Sequence, residues 1–326
     1  MKNKLIVKMS DFSIRTFMKK IVQEGLIILI LIGMIIIFGI ANSNFFQYDN
    51  LMNIFRQMSV YAIMAVGMTM VLICGEIDLT VGAIVALAGI MVAYAVQAGM
   101  NMLAATILVM LGVGLIGLFN GIIVATFRVP SMLVTMGTMM AVRGTGYVIT
   151  NGRSVSGLPD WFGHLGRNYL IGIPIPVIVT LIVVVLGWFV LKYTKYGRYM
   201  YAVGGNSESA NLCGINTKKV IVGALTINTM LAGLSGVIWA SRLNSGQPVV
   251  GQSYEMQVIA ACVIGGASLR GGKGNVFMSL VGAILLGVLY NGLNLLRVSS
   301  YWQQIATGLI IILAIVLDSL RNLNKA

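Results

Sequence analysis

The sequence predicts an all-α polytopic membrane protein with about ten transmembrane helices, and three observations predict it. Of its 326 residues, 58% are hydrophobic and only 10% are charged, against about 25% charged in an ordinary soluble domain. A soluble core cannot absorb that difference, because a helix apolar on every side needs lipid or a very large protein around it. The uncharged stretches also have membrane length. Residues 26–41 carry no charge and neither does the run from Leu79 to Phe127, where one crossing needs about 20 apolar residues. The third observation is the 39 glycines, since small residues let membrane helices pack closely without a hydrophobic drive between them.

Taken in order, residues 1–25 form a basic cytoplasmic tail. The basic stretch is long, and no small-residue cleavage site follows the first apolar run, so that run reads as a retained helix. Ten spans follow in a membrane domain of residues 26–319, at about 26–42, 59–74, 81–99, 102–126, 132–150, 172–191, 219–240, 256–267, 276–296 and 302–319. The second and eighth are short enough to be half-helices or tilted segments. Residues 320–326 form a C-terminal tail. The long polar connections are 151–171 and 192–219.

Charge orients these spans. With the N-terminus inside, sixteen of the 22 Lys and Arg fall on cytoplasmic segments and five on outer ones, leaving Arg143 within a span. That is a strong positive-inside bias, with both termini cytoplasmic. The net charge of +13 therefore belongs to loops facing a bilayer, and nucleic acid is not an expected partner. An internal repeat is expected as well. Phe119-Asn120-Gly121 leads to Arg128-Val129-Pro130-Ser131 and a helix, and Tyr290-Asn291-Gly292 leads to Arg297-Val298-Ser299-Ser300 and a helix. The first turn faces inside and the second outside, the mark of an inverted-topology repeat.

No catalytic constellation is present. His164 is the single histidine and reads as a solvated loop residue. Cys74, Cys213 and Cys262 lack CxxC spacing, so neither a disulfide framework nor a metal site is expected. Gly271-Gly272-Lys273-Gly274 fails as a phosphate loop: Ala267 stands at its first glycine position and Gly274 where Ser or Thr should bind magnesium. The chain is expected to be no enzyme, to hydrolyse no ATP and to carry no cofactor. Glu76 and Asp78 stand at the break between the second and third spans. Asp78 suits an N-cap, and both are candidates for gating or ion coupling. In 192–219, cap chemistry allows a short helix from Asn206 or Ser207 to Gly214, a cytoplasmic docking knob.

At this segment the sequence resembles the ribose-type permeases of ABC sugar importers. The resemblance rests on Gly197-Arg198-Tyr199, Tyr201 to Asn206, Ala210 and Gly214-Ile215-Asn216. It extends over nearly the whole chain through Glu76 to Gly82, Gly265 to Leu269 with Gly271 to Gly274, and Asn291 to Leu296. Glu76 departs from the family's usual glycine, and Cys213 from a small polar residue. The resemblance implies a type II ABC importer fold and uptake of a monosaccharide such as ribose. Permeases for autoinducer-2-like compounds, nucleosides or branched-chain amino acids are the alternatives within the superfamily. An autonomous secondary transporter is disfavoured by the lack of charge in the spans. The resemblance also implies a second permease subunit, a cytoplasmic ATPase and an extracytoplasmic sugar-binding protein as partners. Gly204, Gly205, Asn206, Ser207, Glu208, Ala210, Gly214 and Ile215 would couple to the ATPase, with Gly205 and Gly214 least tolerant of a bulky residue. Thr69, Glu76, Asp78, Asn228 and Asn294 are the candidates for pore or gate, while Asn120 and Asn291 read as interhelical hydrogen bonders.

Overall fold

A computed structural model of the chain describes Gly25 and residues 27–323. The rest of the tail 1–25 lies outside the described residues, as do residues 324–326. Each predicted span corresponds to a helix: α1 (Ile27–Ala41), α2 (Tyr48–Ile73), α3 (Val81–Gln97), α4 (Met102–Phe127), α5 (Ser131–Thr150), α7 (Ile175–Tyr193), α10 (Thr217–Leu243), α11 (Tyr254–Ile264), α12 (Val276–Leu295) and α13 (Ser300–Leu323). The connections add α6 (His164–Arg167), α8 (Lys195–Gly205) and α9 (Ser207–Leu212). Among the described residues the single sheet is a hairpin of two-residue strands, Tyr169–Leu170 (β1) against Ile173–Pro174 (β2).

Five of these helices, α2, α4, α7, α10 and α12, are long and apolar enough to cross a membrane. α10 is the hub and packs on α4, α3 and α2, while α2 also packs on α12, α7 and α11. Every residue of α2 from Met58 to Ile73 is buried. The outer helices instead expose apolar stripes, Leu103, Ile107, Leu111 and Leu115 on α4, and Ile182, Leu186 and Phe189 on α7. That i, i+4 spacing places one greasy face outward, as lipid contact requires.

The two spans expected to be short turn out differently. The second is no half-helix: α2 has 26 residues and starts at Tyr48. Asp49, Asn50, Arg56 and Gln57 make its first turns look like a loop, but tertiary partners hold Asn50 and Arg56 in place. Asn50 and Asn291 exchange amide hydrogen bonds at 2.8 and 3.1 Å. Arg56 donates to the Arg167 carbonyl at 2.8 Å and stacks 4.5 Å from the Tyr169 ring centroid.

The eighth is short. α11 has 11 residues, about 16 Å at 1.5 Å per residue, well below a hydrocarbon core of about 30 Å. The chain before it makes up the difference without forming helix. A Cβ on Gly246 would touch the backbones of Gly89 and Ile90 at 2.7 and 2.9 Å, and one on Gly251 would collide with Gly82. Residues 246–251 therefore run antiparallel along α3, backbone on backbone, back toward its start. The N-termini of α3 and α11 meet there, with the Glu255 carboxylate packed over Gly82.

Candidate coupling site

Residues 192–219 fold into two short helices at one end of the bundle. In α9, Asn206 Oδ1 accepts the Ser209 N–H at 2.8 Å, which satisfies an N-terminal donor. The helix stops at Gly214, whose φ is +82°. The Ile215 N–H then reaches back to the Ala210 carbonyl at 3.1 Å and the Gly214 N–H to Asn211 at 3.0 Å, which occupies the last carbonyls. Ala210 is buried and Ile215 packs against the core. Ser207, Glu208 and Asn211 face outward, and Leu212 is 88% exposed. An apolar side chain held out on a polar ledge was not singled out by sequence reasoning. Its signal lay in the pattern, one leucine in an otherwise polar capped helix.

Glycines join this ledge to the membrane helices. A Cβ on Gly204 would collide with the Ile73 carbonyl oxygen and fall 2.6 Å from the Gly272 nitrogen. The Gly272 N–H itself donates to Ile73 O at 2.9 Å. A Cβ on Gly271 would lie 2.9 Å from the Gly75 Cα and 3.0 Å from that of Gly204. Three segments thus meet main chain to main chain: the end of α8, the end of α2 and the α11–α12 turn. Tyr201 adds a hydrogen bond from its hydroxyl to Gly274 O at 2.8 Å. Close-packed backbone leaves no side-chain slack to absorb a displacement. The demand for glycine falls on Gly204; a Cβ on Gly205 or Gly214 meets nothing within 4 Å, although the positive φ of Gly214 still favours glycine.

Beside α9 lies a cavity of about 820 Å³ lined by Glu76, Arg128, Glu208, Asn211, Asn216 and Lys218 among others. Glu76 therefore shares a cavity with α9. Its carboxylate hydrogen-bonds Ser131, and burial pushes its pKa above the usual carboxylate range. The same serine accepts the Ile77 N–H at 3.0 Å, and Thr135 accepts the Leu79 N–H at 3.1 Å, so the start of α5 cradles residues 75–80.

Asp78, Asn228 and Thr69 are fully buried. Asp78 Oδ1 accepts from both the N–H and the hydroxyl of Thr80, holding the turn into α3, and Oδ2 accepts from Asn228 Nδ2 at 2.8 Å. Burial raises the Asp78 pKa, opposed by the hydrogen bonds from Thr80 and Asn228. Asn228 packs on Gly67, where a Cβ would lie 2.6 Å from Asn228 Oδ1, and that oxygen has no partner. Thr69 bridges three helices, donating to Ala65 O at 2.6 Å and pairing with Ser279 Oγ at 2.7 Å and Cys262 Sγ at 3.5 Å. Asn120 accepts from Thr138 at 2.7 Å. Asn294 stands apart from these, exposed at the other end of the bundle.

Asn228 has a spare acceptor, so Asp78→Asn is expected to be tolerated. Rotating the Asn228 amide turns its free oxygen toward the new NH2 group. Asp78→Ala strands the Thr80 N–H and the Asn228 amide, each costing about 1–3 kcal/mol when buried. Thermal melting in detergent should show a clear drop for Asp78→Ala and little change for Asp78→Asn. Equal loss in both would mean that the negative charge itself is required.

Arg143 is the one Lys or Arg that the sequence places within a span. Its guanidinium donates to the carbonyls of Pro248 at 3.1 Å, Gly251 at 3.0 Å and Val250. Those carbonyls belong to the non-helical stretch along α3, where helical partners are missing and lipid offers none. Among the described residues no group of three or more His, Cys, Asp or Glu could hold a metal ion.

The sequence-family model described as "Branched-chain amino acid transport system / permease component" matches residues 50–315. The chain belongs to that permease family. A ribose import permease protein of Haemophilus influenzae is 42% identical over 97% of this chain and 98% of its own length. A ribose import permease protein of Bacillus subtilis is 39% identical over 87% and 89%. A D-allose transport system permease protein of Escherichia coli is 38% identical over 89% and 90%. No solved structure gives a significant match. A permease of this family is a multi-pass membrane protein, in agreement with the apolar helices, and the buried networks above lie within its matched region.

Proposed function

We propose that the chain is the membrane-spanning permease subunit of an ATP-binding cassette importer that takes up a monosaccharide such as ribose. It works in the plasma membrane beside a second permease subunit, with a cytoplasmic ATPase below and a sugar-binding protein outside. The observation that carries the reading is the glycine junction. It joins an exposed ledge, α8–α9, to the end of α2 and the α11–α12 turn, a route by which a docked ATPase moves the helices. Alternating access needs such a link between two arrangements of the bundle. The sugar follows from the ribose and allose permeases that resemble the chain along most of its length.

Ten crossings in an inverted repeat are part of the proposal. The pairing is α2–α5 with α10–α13. Two features support it: α3 and α11 each follow a non-helical break and meet at their N-termini, and Arg128 and Arg297, at φ +55° and +57°, open the turns before α5 and α13. The ledge then faces the cytoplasm and both termini lie there. Glu76 is placed at the coupling cavity and Asn294 on the outer pathway, while Asp78, Asn228 and Thr69 tie the helices together.

Leu212 provides the test, because it is exposed in its own chain. Leu212→Asp should leave membrane insertion and melting unchanged, yet reduce uptake and permease-stimulated ATP hydrolysis about tenfold, a loss of about 1.4 kcal/mol of docking. Wild-type uptake and ATPase binding in that variant would remove α9 from the interface. Sugar movement by the purified chain in liposomes without an ATPase would remove the importer reading altogether.

A further inference from the structure

At the end of the bundle opposite the α8–α9 ledge, α2, α11, α12 and α13 line an open cavity of about 400 Å³. Small-molecule sites run from roughly 300 to 1,000 Å³. Gln57 comes from α2, Gln257 from α11, Asn294 from α12, and Gln303 and Gln304 from α13. Five amides from four apolar helices converge on one space. Polar side chains among membrane helices are costly unless they pair with one another or line an aqueous path.

Only part of this set is paired. Gln303 Nε2 donates to Asn294 Oδ1 at 2.8 Å and to Val298 O at 3.0 Å. Tyr290 and Thr307 share a hydroxyl hydrogen bond of 2.7 Å. The Gln257 side-chain oxygen is buried with no partner. Among the described residues, Gln57 and Gln304 have no side-chain hydrogen bond. The buried Gln257 oxygen is an orphan that a native interior normally pairs, and the half-buried Gln57 and the exposed Gln304 bring free amides to the same space.

The chemistry of the lining selects a ligand class. Each amide offers both donor and acceptor, matching a hydroxyl, which is both at once. Tyr61, Tyr290 and Met256 add flat or apolar surface for C–H faces. No lining residue is charged. A zwitterion such as an amino acid would have to leave water with no opposite charge to meet either end, at high cost. A neutral polyol loses nothing of that kind. Amides are also weak enough to release what they hold, as a transport path requires.

We propose that this cavity is a resting site for one neutral monosaccharide, its hydroxyls bonded by Gln57, Gln257, Gln303 and Gln304, and that it excludes amino acids. The assignment rests on the importer reading and names the solute's seat within it.

The test is protection of an introduced thiol. Cys74 and Cys262 are buried and Cys213 is exposed, so Cys213→Ser supplies a quiet background. Gln304→Cys is placed on that background in the full transporter, reconstituted with its ATPase and binding protein. A membrane-impermeant thiosulfonate is added from the side of the binding protein. D-Ribose or D-allose should slow labelling about fivefold at about four times its Kd, because only the free fraction reacts, and L-leucine should not. Gln57→Cys on the facing wall should show the same protection, which guards against a local fault in one variant. Labelling that ignores both sugars, or a thiol that the reagent never reaches, overturns the proposal. Protection by L-leucine overturns the ligand class. Uptake is read separately on the wild-type complex: if it moves neither sugar, the importer reading fails, whereas protection still reports on the cavity.

Discussion

Gly204→Val is expected to abolish uptake, by more than about a hundredfold, while Gly205→Ala leaves it near wild type. The two glycines are neighbours at the end of α8 and look alike in the sequence. Their surroundings differ. A Cβ at Gly204 runs into the Ile73 carbonyl and the Gly272 amide, and a Cβ at Gly205 meets open space. Main chain cannot rotate away as a side-chain tip can, so the substitution must push α8 off the end of α2 or break the Gly272 to Ile73 hydrogen bond. The overpacking cost is about 1–3 kcal/mol or more, placed where movement has to pass. A displaced ledge would still dock its ATPase through α9, so ATPase binding should persist while its hydrolysis no longer drives uptake. The measurements are sugar uptake, ATPase stimulation and membrane abundance, taken on one preparation. Normal uptake in Gly204→Val would mean that the backbone junction is not the route of coupling. Loss of membrane abundance in place of coupling would make the junction a folding element.

Arg143→Met is expected to be the most destabilising single change outside the tightly packed core. It keeps most of the apolar stem and removes every donor to the Pro248, Val250 and Gly251 carbonyls. A stranded buried acceptor costs about 1–3 kcal/mol, so losing three partners amounts to several kcal/mol, reduced where water reaches the half-buried site. Arg143→Lys should fall between the two, because an ammonium keeps the charge but not the planar fork that spans several acceptors. Melting in detergent should rank wild type above Arg143→Lys above Arg143→Met, and protease should cut within 245–253 soonest in the last. A flat ranking would mean that the packing of Gly246 and Gly251 on α3 holds the segment without the arginine. The same variant should lose transport, since the segment sets where α11 begins.

These two predictions differ in how far the sequence leads to them. The charge of Arg143 within an apolar run is legible at once, because a lone charge at that depth demands a partner. Its partners are not legible, because 248–251 carry no polar side chain between Gln247 and Gln252 to mark them; the acceptors are main-chain carbonyls. α9 was legible almost to the residue. Its caps, Asn206 and Gly214, act on neighbours within four positions, so local composition carries the whole signal. The polar cavity was visible only through Asn294, since its other amides are spread over three helices.

Hydropathy and charge determined by themselves that the chain is an all-α membrane protein, roughly where its helices fall, and which connection is the ledge. Those properties add residue by residue along a helix, and lipid tests each residue independently. Tertiary structure alone decided that α2 runs on past Arg56, that a non-helical segment packed on α3 leads into α11, and that Gly75, Gly204 and Gly271 form one joint. Each of these depends on groups far apart in the chain approaching to a few ångströms. Close approach of backbones leaves no composition behind except glycine, and this chain has 39 of them.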